Sequence, residues 1–409
     1  MVSAEHPALS LVTGQTTARR RLQSVDALRG AVMILMALDH VRDFVSSAAM
    51  QFPPTDLTRT TAALFFTRWI THCCAPTFAF TAGIGAFLWM RRDRTPGQLS
   101  RFLVTRGVWL IFLELTVLRW ILLFQFGWTN QLIILSVIWM LGLSMVVLAA
   151  LIHLPARWLA GLSLVLIAVH NLFDKVDPVR FGRAAWLWDI LHVQAVFGFL
   201  GANILVAYPL VPWVAVMAAG YCFGPVLRWE PARRQSFMIR LGLGLSVAFV
   251  VVRALNRYGD PTQWAAQHST LYTVLSFLNC TKYPPSLDFL LMTLGPAMLW
   301  LAWFDSLEWR PANPLIVFGR VPLFYFVVHF FAAHAIASVM EAIRYGRPAL
   351  MFGPLPNMGG PRNAFPADFG FDLWVVYLLW AALVVAMYPL CRRFASVKAR
   401  RTDWWLSYL

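Results

Sequence analysis

The chain has 409 residues, of which 59% are hydrophobic, 15% aromatic and only 13% charged, and its mean hydropathy is +0.63. A soluble domain carries about a quarter charged residues, so this composition excludes one and places the chain in a lipid bilayer. The net charge of +15 lies in short basic segments between apolar runs, a pattern that sets membrane topology and argues against nucleic acid as a partner.

Residues 1–26 read as a polar arm that includes Arg19, Arg20 and Arg21; no apolar core of a signal peptide precedes Arg29, so the arm is expected to stay in the cytoplasm. Stretches near the ~20 residues needed to cross a bilayer follow at 27–48, 64–90, 104–126, 131–152, 237–255, 286–304, 314–338 and 372–394. Between them, 157–173, 187–206 and 207–228 supply two spans or three. The arginine-rich segments 91–106, 228–240 and the C-terminal tail should share the cytoplasmic side with the arm. An even number of crossings must then separate 106 from 228, which leaves two spans in the ambiguous region.

The expected architecture is an all-α polytopic membrane protein of about ten transmembrane helices in one bundle, with both termini cytoplasmic. It divides into the arm, a membrane domain over 27–394 and a tail over 395–409. The leftover segment WLWDILHVQAVFGFLGANI is expected as an interfacial or re-entrant helix on the outer side. Two long outer segments, 256–286 and the Gly/Pro-rich 344–370, are placed to roof an enclosed site. Five scattered cysteines, Cys73, Cys74, Cys222, Cys280 and Cys391, have no ligand spacing and imply neither disulfides nor a metal, and no metal is expected.

Ionisable groups in a bilayer are costly and mark functional sites or buried pairs. The first span carries Asp39, His40, Arg42 and Asp43, with His40 roughly 16 Å further out than Arg29 at 1.5 Å per residue. The second span brings Arg68 and His72 to a similar depth. The bland alternatives are an interfacial ion-pair cluster for Asp39, Arg42 and Asp43, an interhelical hydrogen bond for His72, and an i, i+3 pair with Asp26 for Arg29. Glu114 and Arg119 read as interhelical glue. In FGRVPLFYFVVHFFAAH, His329 and His334 are separated by about 140° around a helix, so at most one faces a pocket, and His329, one turn above Tyr325, is the better candidate. Pro284 and Pro285 stiffen the chain after Lys282 and Tyr283, where a lysine either receives an anion or a sugar or simply snorkels.

RLQSVDALRGAVMILMALDHVRDF with RWITHCCAPTFAFTAGIGAFL, and further FLNCTKYPPSLDFLLMTLGPA, NPLIVFGRVPLFYFVVH and the tail, resemble the heparan-alpha-glucosaminide N-acetyltransferase catalytic-domain family, in its bacterial membrane-protein branch. That resemblance implies transfer of an acetyl group from cytoplasmic acetyl-CoA to an amino sugar or other envelope acceptor across a bacterial inner membrane, with a far-side histidine as catalyst. It also departs from the family: Thr60 to Leu64, where the lysosomal enzyme's histidine would fall, contain none, and His72 stands where that enzyme has an acid. Acyl transfer needs a base with a partner to orient it; His72 with Asp39, His40 with Asp43, or His329 can serve. Arg42, Arg68, Lys282 and Tyr283 are candidate acceptor contacts. Arg29, Arg91, Arg92, Arg101 and Arg106 are candidates for the donor's phosphates. A homodimer is compatible with the sequence. The rival reading is a proton-coupled transporter with an Asp/His relay, against which no pair of broken helices in corresponding halves is found.

Overall fold

Helix starts are marked by residues that satisfy the unpaired amides of a first turn. Thr95 and Gln98 form a reciprocal capping box, Thr61, Ser269 and Ser286 accept from the amide three residues on, and Pro231, Pro314 and Pro322 occupy first-turn positions where no donor is missed. The computed structural model describes residues 23–90, 94–125, 127, 131–401, 403, 405 and 406. Its helices are α1 (Gln23–Val45), α2 (Ser47–Gln51), α3 (Ala62–Ile70), α4 (Cys74–Trp89), α5 (Pro96–Leu113), α6 (Arg119–Leu123), α7 (Val137–Leu151), α8 (Ala156–Val169), α9 (Ala185–Leu191), α10 (Leu210–Phe223), α11 (Pro231–Leu255), α12 (Thr270–Leu278), α13 (Leu287–Ser306), α14 (Pro314–Arg320), α15 (Pro322–Tyr345) and α16 (Leu373–Arg400). Short 3₁₀ or π turns join α3 to α4 and α5 to α6, so each pair runs as one rod.

The protein is mainly helical, and among the described residues 7 helical segments are long and apolar enough to cross a membrane: Ala62–Trp89, Ala156–Phe173, Leu210–Arg228, Pro231–Leu255, Leu287–Ser306, Pro322–Tyr345 and Leu373–Arg400. Helix α1, the α5–α6 rod and the shorter apolar α7 pack among them. Where backbones approach closely only glycine fits. A Cβ on Gly30 would lie 1.9 Å from the Leu315 carbonyl oxygen and one on Gly319 would lie 1.8 Å from that of Asp26, which locks α1 to α14. Gly83 and Gly220 do the same for α4 and α10. Small residues at such crossings are the usual means of packing helices in lipid, where burial of apolar surface supplies no net drive.

Contacts sort into two ends. Ser24 and Arg234 both bond Asp305, and Phe324 stacks on Phe394, at the end that holds Gln23 and Arg400, called here the near end. At the far end, Phe371 donates its amide to the Val45 carbonyl, Asn357 reaches the Asp43 carbonyl at 2.8 Å, and Asn279 reaches that of Thr55. The far end also carries a small sheet of order β1-β3-β2. Strand β1 (Leu132–Leu135) runs parallel to β3 (Ala202–Val206), with Leu132 opposite Asn203, and β2 (Val196–Phe199) is antiparallel to β3, with Val196 opposite Leu205. The single helix expected over 186–204 is therefore only the short α9 followed by a hairpin. β-branched and aromatic residues around Gly198 and Gly201 favour strands, and β1 supplies the partner edge that a local reading could not show.

Candidate functional site

Asp39 faces the middle of a dense polar cluster at the far end of α1. Its carboxylate accepts both oxygens' worth of contact from Arg68 Nη1, at 2.8 and 2.7 Å, a hydrogen bond from Thr71 Oγ1 at 2.7 Å, and an ion pair with Arg42 Nη1 at 2.8 Å. Arg42 also donates to Asp43 at 2.6 Å and is 1% exposed. Two cations and two carboxylates thus balance one another in a shielded place where such pairs interact strongly. This bears out the ion-pair reading of Asp39, Arg42 and Asp43, and leaves neither carboxylate on a histidine: the expected pairs His72 with Asp39 and His40 with Asp43 are absent from the hydrogen bonds among the described residues.

The orienting partner of His40 is another histidine. His40 Nδ1 lies 2.8 Å from His329 Nε2, the rings are nearly parallel with centroids 5.0 Å apart, and His329 Nδ1 lies 2.7 Å from the Tyr325 carbonyl oxygen. That carbonyl can only accept, so in the neutral pair Nδ1 of His329 carries its proton, its Nε2 accepts, and the His40 proton sits on Nδ1. The His40 Nε2 lone pair is left without a protein donor among the described residues, on a half-buried side chain. His334, by contrast, is completely buried, sandwiched by Phe44 and Phe124 and bonded to the Ile121 and Met351 carbonyls; it ties α15 to its neighbours. His72 is buried against Phe289, and its Nδ1 has no partner among the described residues.

The loop between α12 and α13 brings Lys282 and Tyr283 over this cluster. Tyr283 receives a 3.4 Å contact from Arg68 Nη2 and lies 3.5 Å from the Tyr208 hydroxyl; Lys282 Nζ stands 5.2 Å from the Tyr283 ring centre and 5.8 Å from that of Tyr208. Burial pushes the Tyr283 phenol up, but the Lys282 and Arg68 cations outweigh it and hold the group below its ordinary range, whereas burial leaves Tyr208 well above. The loop is clamped from behind. Arg253, 2% exposed, donates to the carbonyls of Phe277, Thr262, Ser276 and Asn279, and Asp260 accepts from the Thr281 amide and hydroxyl and from the Ser286 hydroxyl. A cis peptide joins Tyr283 to Pro284.

Nearer the terminal end, a cavity of about 300 Å³ opens between α1, α4, α5, α7 and α15. Arg29 and Arg106 line it together with Phe102 and Trp89, and Met36, Ile138 and Phe326 line it further toward the far end. Phe326 packs its ring edge-on to His40 with centroids 5.6 Å apart. Arg29 donates to the Thr81 carbonyl, in room left by Gly85. Arg101 is exposed and off the cavity, and Arg91 and Arg92 lie outside the described residues. Glu114 is structural: it accepts from Ser136 Oγ at 2.7 Å and from the Trp139 amide, capping the start of α7, where a carboxylate is favoured. Arg119 holds the Gly127 carbonyl.

Sequence reasoning missed Tyr208 and Thr71, which carry no motif, and the Arg253–Asp260 clamp, which acts largely on backbone carbonyls and an amide that no side-chain pattern marks. The family model described as heparan-alpha-glucosaminide N-acetyltransferase, catalytic, matches residues 21–256. No curated protein matches the chain.

Proposed function

Because the chain belongs to the heparan-alpha-glucosaminide N-acetyltransferase catalytic family, we propose that it is a multi-pass membrane acyltransferase that takes an acetyl group from acetyl-CoA at its near end and delivers it at its far end. Helices α1, α5–α6 and α7 also cross in this reading, which makes ten spans. Both termini are cytoplasmic, and the membrane is a bacterial inner membrane. The basic near-end segments support that orientation.

One observation carries the proposal: a largely apolar cavity with arginines at one end and, beyond the other, an oriented imidazole nitrogen with no partner among the described residues. The cavity's size suits a slender acyl-thioester arm, with the nucleotide left outside near Arg29 and Arg106, whose guanidinium groups suit phosphate oxygens. His40 Nε2 takes the proton from an acceptor hydroxyl or amine as that atom attacks the thioester carbonyl. When the C–S bond breaks, the resulting imidazolium returns the proton to the departing sulfur. His329 stabilises the imidazolium through its Nε2 lone pair and fixes the ring.

Lys282 supplies what the balanced cluster lacks. Arg42, Arg68 and Lys282 against Asp39 and Asp43 leave one positive charge. That charge suits the carbonyl oxygen as it becomes an oxyanion, or an electron-rich sugar acceptor. The acceptor class is an envelope glycan hydroxyl or amine held by Arg68, Lys282 and Tyr283.

The test is transfer of label from acetyl-CoA to an envelope glycan extract by purified protein in lipid, wild type against His40→Ala. Transfer by wild type alone supports the assignment. Equal transfer by both removes His40 from catalysis, and failure of wild type to bind or consume the donor overturns the acyltransferase reading in favour of a transporter.

A further inference from the structure

Away from the cavity and the Asp39 cluster, the far end holds a second group of side chains that the acyl-transfer reading does not use. His170 follows the last turn of α8, Asp174 lies one turn further on, and His192 follows α9. One ligand-capable atom from each of the three lies within 4.8 Å of the others. His192 Nε2 already sits 2.9 Å from Asp174 Oδ1.

His170 gives the second, independent observation. Its side chain is 1% exposed, and both ring nitrogens are buried with no hydrogen-bond partner among the described residues. A buried imidazole with two unsatisfied nitrogens is an anomaly that asks for a ligand. Here one nitrogen belongs to the same cluster as an imidazole and a carboxylate.

We propose that His170, Asp174 and His192 form a binding site for a zinc-class divalent metal ion. Two imidazoles and one carboxylate are a donor set typical of zinc, and three protein ligands leave a fourth position open. Bonds of about 2.0–2.1 Å in a tetrahedron put ligand atoms roughly 3.3 Å apart, so modest side-chain rotation closes the present spacing. The supporting shell is in place. Asn171 Nδ2 donates to the other Asp174 oxygen at 2.8 Å, which aims the carboxylate, as outer partners do at metal sites. Asp174, with 16% of its side chain exposed, gives the ion its entry path.

The same asparagine accepts the Leu287 amide at 2.8 Å, at the start of α13 directly after the Lys282 loop. An ion bound here therefore braces α8, α9 and the root of that loop. This assignment rests on the local side chains and is independent of the acyl-transfer reading.

The experiment titrates cobalt(II) and zinc into chelator-stripped full-length protein in detergent and follows the visible cobalt spectrum. We expect one ion per chain, the intense bands of four- or five-coordinate cobalt and their loss on adding zinc. The bands should vanish in His192→Ala and in His170→Ala while persisting in His268→Ala, an exposed histidine. A wild-type spectrum showing only aquated octahedral cobalt overturns the site, and so do bands that survive both substitutions. Because His170 is buried and its variant risks misfolding, the wild-type spectrum and the His192→Ala result decide the matter by themselves.

Discussion

His40 Nδ1 stands 2.8 Å from His329 Nε2, and this contact between α1 and α15 fixes which nitrogen of His40 is free. Replacing His40 with alanine removes the proposed base and should lower kcat by roughly 100- to 10,000-fold. His329→Ala leaves the base but frees its ring to rotate and change tautomer, so a smaller loss with KM nearly unchanged is expected. Steady-state kinetics on both variants checks this, and effects confined to KM, with kcat unchanged, would count against His40 as base and His329 as its orienting partner.

Lys282→Met should reduce turnover while thermal stability stays close to wild type, because Lys282 makes no hydrogen bond to protein among the described residues. Lys282→Arg should recover part of the rate. A melting curve recorded beside each assay separates the two effects; a Lys282→Met variant that is fully active would remove the cation from the reaction.

Asp39 is the hub of its cluster, so Asp39→Asn leaves Arg68 without its carboxylate and Arg42 with Asp43 alone. Breaking a shielded pair from one side costs about 3–5 kcal/mol. The double variant Asp39→Asn with Arg68→Met should recover part of that loss. A thermal-melt double-mutant cycle measures the coupling, and strict additivity would mean that the pair contributes nothing.

Arg253→Lys should loosen the loop from 256 to 286, since one ammonium cannot reach the four carbonyls that a guanidinium fork holds. Faster proteolytic nicking there, with the helical content unchanged, is the expected readout. Activity should fall with it, because Lys282 and Tyr283 depend on that clamp for their position.

Much of this was legible in the sequence because lipid makes charge conspicuous. Asp39, Arg42, Arg68 and His329 stand out against apolar neighbours, and the structure brings them to one end of the bundle. What could not be read was pairing. Periodicity puts His40 and Asp43 on one face but cannot tell that Arg42 takes the carboxylate, nor that a histidine some 290 positions away orients the ring. Arg29 and Arg106 were found by their charge and depth, while Arg101, equally basic, turns outward because its position on α5 faces away from the cavity. The hairpin β2–β3 escaped because its sheet is completed by β1, a strand of four residues from a distant part of the chain.

The cavity's wall includes Met33, Met36 and Met145. Methionine is unbranched, flexible and polarisable, so this lining is compliant where leucine or phenylalanine would be a fixed mould. Under the proposed acyl transfer, a compliant wall implies loose discrimination by chain length: propionyl and butyryl donors should be consumed at rates within about tenfold of acetyl. Stiffening the wall with Met36→Phe should then turn tolerance of donor length into a measurable preference for the shortest chain.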